Sequence, residues 1–462
     1  MAEDAEDIVE RDEDDYGLDP RVVQSIRVAI EAGDGATIDI LMEPLHPADI
    51  ADVLEQIGPA ERRDLVGLWP KGFDGDVLSE LDEGIREEII EALPHEVLTE
   101  AVRELDSDDV VDLIEDLEEP VQERILDALE MSDRVAVEQS LTYPEYSAGR
   151  LMQREVVTAP EHWTVGGAID FLRSASELPD QFYHVILVDP RWHPVGYVTL
   201  GKILSSKRDT PLSAITEDSF RTIDVLDEEG DVAYAFNQYH LISAPVVDEN
   251  ERLVGVITID DAMAVLDEEH EEDILRLAGV GEGSLSDSVI ETTKQRILWL
   301  GVNLVTAIVA SFVIAQFEDV IARAVALAVL MPIVASMGGN AGTQALTVAV
   351  RAIATRDLTG SNLWRVVRRE VLVGAVNGIV FALVMGAVGW LWFGSAAIGA
   401  VLAAAMVVNL VVAGLAGILV PVTLEKAGVD PALASGAFVT TVTDIVGYFS
   451  FLSFATMYFG LK

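Results

Sequence analysis

VLVGAVNGIVFALVMGAVGWLWFGSAAIGAVLAAAMVVNLVVAGLAGILVPVTL, residues 371–424, runs for 54 positions without a charged side chain. A hydrocarbon core about 30 Å thick is crossed by about 20 helical residues, each rising about 1.5 Å. The stretch therefore holds two spans, with Gly394-Ser395 as the turn between them. Upstream, residues 297–317 supply 21 uncharged positions, one crossing. Residues 324–350 supply another, interrupted by Pro332 and Gly338-Gly339. Downstream, residues 431–461 contain a fifth, whose sole charge is Asp444. Residues 294–462 thus read as a transmembrane domain with five helices, placed in a lipid bilayer as a multi-pass cell-membrane segment.

Lys and Arg set the orientation, because cytoplasmic loops carry the excess of both. Lys294, Arg296, Arg351, Arg356, Arg365, Arg368, Arg369 and Lys426 fall on the side of the N-terminal half, and only Arg323 and Lys462 on the other. The N-terminus is expected in the cytosol and the C-terminus outside. The first residues, Met1-Ala2-Glu3-Asp4-Ala5-Glu6-Asp7, agree: they are acidic where a targeting segment is basic.

The N-terminal half belongs to another class. Residues 1–293 carry 72 acidic and 20 basic side chains, against 7 and 10 in residues 294–462. Such a surface repels phosphates, which excludes nucleic acid as a partner. It suits a cation-rich setting, either as the solvating surface of a halophile's protein or as carboxylates placed to bind divalent cations. Cys is absent, so disulfides and thiolate metal sites are excluded.

Residues 1–19 read as a disordered acidic tail. Residues 20–140 form an acidic helical N-domain of short amphipathic helices. In it, His46-Pro47-Ala48-Asp49-Ile50-Ala51-Asp52-Val53-Leu54 recurs 60 residues later as Asp106-Ser107-Asp108-Asp109-Val110-Val111-Asp112-Leu113-Ile114. Carboxylates and aliphatics take opposite faces in both copies, which predicts a superhelix of repeated helix pairs. From 148 to 268 short β runs alternate with helices, and a second repeat appears (148–206 and 211–268). Pro194-Val195-Gly196-Tyr197-Val198-Thr199-Leu200 matches Leu253-Val254-Gly255-Val256-Ile257-Thr258-Ile259. Strand, turn, strand, helix, twice over, resembles a tandem CBS pair. CBS pairs bind adenosine nucleotides through a Thr or Ser followed three residues later by Asp. The resemblance therefore implies ATP at Thr258 and Asp261, whereas the first copy departs from the pattern with Thr199 and Lys202. Residues 269–293 are expected to be a connecting helix, with His270 solvated among carboxylates. The fold class is a multi-domain membrane protein: a cytosolic α-helical superhelix, a tandem CBS (α+β) pair, and a five-helix α transmembrane domain.

Two constellations carry the chemistry. Asp444 stands near the middle of the fifth span, where a carboxylate facing lipid costs several kcal/mol, so it should face water, a cation or a partner. Thr440 and Thr441 share its helix face and Gly447 follows, as in a pore wall. The other is Gly338-Gly339-Asn340-Ala341-Gly342-Thr343-Gln344 in the second span. It predicts a broken helix whose carbonyls line a cavity, with close packing through small residues as the competing reading. Asn377 and Asn409 are expected to be interhelical hydrogen-bonders.

With these stretches and Thr440-Thr441-Val442-Thr443-Asp444-Ile445-Val446-Gly447-Tyr448, the chain resembles the MgtE family of magnesium channels over almost its whole length. The resemblance implies a homodimer with the pore between subunits and Asp444 holding the ion, while Gly338, Gly339 and Asn340 contribute to the same pathway. Mg²⁺ dehydrates reluctantly, and carboxylates facing each other across a dimer axis can hold it through its water shell. It further implies closure by cytosolic Mg²⁺ bound between the modules, with Asp109, Asp112, Asp261, Glu269, Glu272 and Asp273 as sensors. In molar salt the screening length is about 3 Å, so such gating would rest on a few multidentate contacts rather than on total charge. A channel of the same build for Co²⁺, Ni²⁺ or Mn²⁺ is one rival, though no His, Cys or Met cluster in the spans favours a softer ion. A non-conducting membrane-anchored sensor of metal or nucleotide is another, and it would not need Asp444. An enzyme is not expected: a membrane hydrolase needs a nucleophile beside a base or a His-bound metal, and no span contains His.

Overall fold

The computed structural model describes residues 18–459 except 116, 176–177, 180 and 281–288. Most of the expected disordered tail and part of the expected connecting helix lie outside the described residues. The chain divides into two compact units, Met1–Glu269 and His270–Lys462.

The first unit opens with ten short helices: α1 Pro20–Ala32, α2 Gly35–Met42, α3 Pro47–Gln56, α4 Pro59–Leu68, α5 Gly75–Ser79, α6 Glu83–Ala92, α7 His95–Glu104, α8 Ser107–Glu115, α9 Glu119–Leu126 and α10 Met131–Ser140. Their starts are written locally. Asp19, Asp34, Asp74 and Asp82 accept from the first-turn amides, and Pro20, Pro47 and Pro59 occupy the first helical position, where no amide partner is needed. Two of their ends, 60 residues apart, are closed by the same device. Arg62 Nη1 donates to the carbonyls of Leu54 (3.2 Å) and Ile57 (3.0 Å). Sixty residues on, Gln122 Nε2 donates to Ile114 (2.8 Å) and Leu117 (2.9 Å). Each side chain satisfies carbonyls that a helix end leaves open. Ile38, Leu54, Leu65, Ile85, Ile90, Leu98, Val110 and Ile114 fill the core between helix layers.

The CBS pair follows, with α11 Ala148–Leu151, β1 Thr158–Pro160, α12 Val165–Ser174, β2 His184–Val188, β3 Pro194–Thr199, α13 Leu200–Ser205, β4 Ile223–Asp224, α14 Glu229–Tyr239, β5 Ser243–Val247, β6 Leu253–Thr258 and α15 Ile259–Leu277. Each copy is a three-stranded sheet, β1-β2-β3 and β4-β5-β6, parallel at the first pair and antiparallel at the second. Both antiparallel pairs carry a register shift at the same place, Leu187/Val188 and Val246/Val247. β2 and β5 are buried throughout, which is why each reads as a continuous rather than alternating run. No break separates the second copy from the expected connecting helix: α15 starts directly after β6 and passes through residue 269. No Gly or Pro interrupts residues 259–277. The helix stops where Gly279, at φ +72°, returns its amide to the carbonyl of Arg276.

The second unit contains α16 Val289–Ala315, α17 Glu318–Arg323, α18 Ala326–Ala354, α19 Leu363–Phe393, α20 Ala396–Lys426 and α21 Pro431–Phe459. All but α17 are long and apolar enough to cross a membrane. Gly394, at φ +63°, makes the expected turn between α19 and α20. These two helices pack through glycine: a Cβ on Gly399 would lie 2.4 Å from Gly386 O, and one on Gly374 2.5 Å from Leu410 O. Leu327, Leu330, Val334, Leu402, Phe451 and Leu452 form the core of α18, α20 and α21. The broken-helix expectation is corrected, because α18 is continuous through Pro332, Gly338 and Gly339. Its carbonyls there belong to the helix ladder.

Candidate functional site

α21 places Asp444 thirteen residues from its start, half-way along the span. The carboxylate is half-buried in the protomer, and among the described residues nothing hydrogen-bonds or ion-pairs with it. The neighbouring hydroxyls are spent on their own helix: Thr440 donates to Gly436 O at 2.9 Å, Thr441 to Ala437 O at 2.5 Å and Thr443 to Thr440 O at 2.9 Å. The Thr side chains therefore lower the polarity cost of the helix surface without neutralising Asp444.

Facing helices decide which glycines could line a path. A Cβ on Gly338 would lie 2.1 Å from Asn409 Nδ2, and one on Gly447 2.9 Å from the same atom. Asn409 is fully buried, and its Nδ2 donates to Val334 O at 2.8 Å. Gly338 and Gly447, expected on a pore wall, are thus buried where α18 and α21 clasp the Asn409 side chain of α20. The competing small-residue packing is what the structure contains at these two positions. Gly339 has open space beside it, and Asn340 is exposed. They continue a stripe along α18 in which Ser336, Asn340, Thr343 and Thr347 are all exposed in the protomer. The spacing of four, three and four residues keeps them on one helix face. Ser336 and Thr347 escaped sequence reading, although the helical period extended from Asn340 points to both.

Gly338→Ala and Gly339→Ala separate packing from lining. The first must displace Asn409, and overpacking of this kind costs about 1–3 kcal/mol. The second meets nothing within 4 Å. Thermal midpoints of the purified protein in detergent should fall clearly for Gly338→Ala and stay within about 1–2 °C for Gly339→Ala; equal midpoints would contradict the clasp.

The carboxylates of the N-terminal half gather in the first unit by an identifiable route. Gln153 pairs with β6 through both backbone bonds to Val256 (2.9 and 3.0 Å), while its side chain donates to Asp106 Oδ2 at 3.2 Å. Arg154 N donates to Ser107 Oγ at 2.8 Å, and Ser107 donates to Glu155 Oε2 at 2.8 Å. These contacts tie the start of α8 to the end of β6, beside Asp261. Burial first, then Asp261 and Asp106, push Asp109 up to about 7. Burial, then Asp260 and Asp106, push Asp261 up to about 6, opposed by its bonds from Thr258. Asp108, which sequence reading passed over, is raised well above the ordinary value by burial and Asp261. Asp112 differs from the other candidates. Its carboxylate accepts from the buried Arg86 at 2.9 Å and is already paired.

Thr258 Oγ1 bonds to Asp260 and, at 2.5 Å, to Asp261. The two nucleotide candidates are thus engaged with each other. In the first copy Lys202 pairs with Glu217 at 2.9 Å, a different use of the equivalent position. Glu269 joins a second group that sequence reading did not find. Burial, then Glu268, Glu115 and Glu269, raise Glu229 to about 7. In the second unit, burial and then Asp430 raise Asp273, while Arg276 contacts both Glu272 (2.5 Å) and Asp430 (3.5 Å). Among the described residues no three His, Asp or Glu side chains converge as a ready-made metal cage. The arrangement is one of crowded carboxylates whose burial and mutual repulsion favour the protonated form.

Residues 331–454 match the MgtE family, described as divalent cation transporters, and residues 45–146 match the MgtE intracellular N domain. Residues 148–209 and 219–268 each match the CBS domain. Magnesium transporter MgtE of Thermus thermophilus is 31% identical over 447 residues, covering 95% of this chain and 99% of that protein. The chain belongs to the MgtE family. Magnesium transporter MgtE of Enterococcus faecalis is 33% identical over 322 residues, 70% of this chain and 71% of that protein. The crystal structure of the cytosolic domain of the Mg²⁺ channel MgtE in complex with ATP is 28% identical, with a TM-score of 0.48 over 53% of this chain and 99% of that one. Asp444, Asn409 and the α18 stripe all fall inside the stretch matched to the MgtE transporter family, and Asp109 and Asp112 inside the matched MgtE N domain.

Proposed function

We propose that this chain carries Mg²⁺ into the cytosol through a pore in which Asp444 holds the ion, and that cytosolic Mg²⁺ closes it. The observation that carries the reading is Asp444 itself, a carboxylate with no partner among the described residues, half-way along a span whose neighbour α18 exposes a polar stripe. An ionised carboxylate there is costly against lipid, and oxygen donors of both kinds suit a hydrated dication. The chain would work as a homodimer, with Asn340, Thr440 and Thr441 toward the path, the N-terminus in the cytosol and the C-terminus outside.

Closure follows from the crowded carboxylates. Without Mg²⁺, Asp109 and Asp261 repel, and the open arrangement gains. With Mg²⁺ bound at them and at Glu269, Glu272 and Asp273, the closed arrangement gains, a population shift set by differential affinity. Asp112 supports this indirectly by holding α8 through Arg86. The Thr258–Asp261 bond and the nearness of Asp109 favour Asp261 as a cation sensor over a ribose ligand, so ATP at Thr258 and Asp261 is the lesser role.

The test is divalent-cation flux into proteoliposomes as internal Mg²⁺ is raised. Mg²⁺ should enter when internal Mg²⁺ is scarce, and at least about tenfold more slowly at millimolar levels, a shift of about 1.4 kcal/mol. Faster entry of Co²⁺, Ni²⁺ or Mn²⁺ would favour the softer-ion channel. No flux of any divalent ion under either condition would leave a non-conducting sensor.

A further inference from the structure

The start of α19 presents a groove unrelated to the ion path described above. Trp364, Arg365, Arg368, Arg369, Leu372 and Val376 line an open cavity of about 670 Å³. Arg365, Arg368 and Arg369 are spaced at i, i+3 and i+4, which sets their guanidiniums on one face. Among the described residues none of the three is hydrogen-bonded or ion-paired. Glu370, the nearest carboxylate in sequence, is half-buried and has its backbone carbonyl against Gly414 on α20. Below the arginines the same face is open and mostly apolar, with Asn377 its one polar lining residue: Leu372 is 64% exposed and Val376 60%. Trp364, 69% exposed, stands at the charged end, the level that amphipathic rings occupy at a membrane surface.

We propose that this groove docks one anionic phospholipid. Its headgroup phosphate sits among Arg365, Arg368 and Arg369, and an acyl chain lies along Leu372 and Val376. Charge complementarity selects the occupant. Planar guanidiniums present paired donors that match phosphate oxygens, and clustered cations at the end of a span attract anionic headgroups. A second copy of this chain is disfavoured, because a two-fold contact places the same patch on both sides and sets arginine against arginine.

Retention of added lipid by the purified full chain, read by native mass spectrometry, tests this. Phosphatidylglycerol should be retained over phosphatidylcholine. Arg365→Gln, Arg368→Gln and Arg369→Gln together should lower that retention by about a hundredfold, about fivefold for each guanidinium. Arg368→Gln alone should lower it by about fivefold, which keeps the test open if the triple variant misfolds. Arg351→Gln, at the end of α18 and outside the groove, should not change it. Unchanged retention in the triple variant overturns the proposal. So does equal displacement of the lipid by glycerol phosphate or inorganic phosphate, which would make this a site for soluble anions. A change in oligomeric mass accompanying the loss would also overturn it, because the groove would then be a protein interface.

Discussion

Asp444→Asn should reduce Mg²⁺ uptake into proteoliposomes by at least about thirtyfold, at matched insertion and low internal Mg²⁺. The amide keeps the shape and hydrogen-bonding capacity of the side chain and removes only its charge. A dication about 5 Å from a unit negative charge gains on the order of 6 kcal/mol at an effective dielectric of about 20. The ion's water shell takes up part of that, and about a third of it already corresponds to a thirtyfold change in occupancy. Folding should not suffer, since Asp444 has no hydrogen bond or ion pair among the described residues to lose. An intact thermal midpoint with lost uptake is therefore the expected pair of results. Uptake within about twofold of the wild type would remove Asp444 from the ion path.

Asp109→Asn combined with Asp261→Asn should abolish closure by internal Mg²⁺ and stabilise the metal-free protein. Both carboxyls ordinarily titrate near 3.8, and the fold raises them to about 7 and about 6. Between those values the folded chain binds more protons than the unfolded one, so stability falls as pH rises. The metal-free wild type should accordingly melt at a lower temperature at pH 8 than at pH 5. Neutral amides remove the repulsion and should gain on the order of 2 kcal/mol, about 4–8 °C in a domain of this size. Added Mg²⁺ should raise the wild-type midpoint at pH 8 and leave the double variant unmoved. A wild-type midpoint that climbs with pH, or a double variant that still closes, would sink the sensor assignment. Neutralising exposed acids such as Glu118 or Glu130, away from these groups, should leave closure intact.

Legibility differed between the two halves for physical reasons. The five spans were readable because hydrocarbon imposes length and apolarity residue by residue, and Asp444 stood out as the one charge in the last of them. The repeats were readable because each copy writes its own local code. His184 and Ser243 open equivalent strands, and Arg62 and Gln122 close equivalent helix ends.

The roles of Gly338 and Asp112 were not legible, because each depends on a residue far along the chain. Gly338 in isolation fits a broken helix as well as a packed one. Asn409, 71 positions later, occupies the space where its Cβ would be. Asp112 in isolation is another exposed acid, and Arg86 makes it one half of an ion pair. Asp108 and Glu229 were hidden for the same reason, since burial by distant segments is what raises them.

By itself, then, the sequence determined the spans, the two repeats and the mid-membrane carboxylate, all set by local period, length and polarity. Only the tertiary structure decided which glycines pack, which carboxylates crowd and which are already paired. Those outcomes depend on what stands opposite a side chain, and neither spacing nor composition records that.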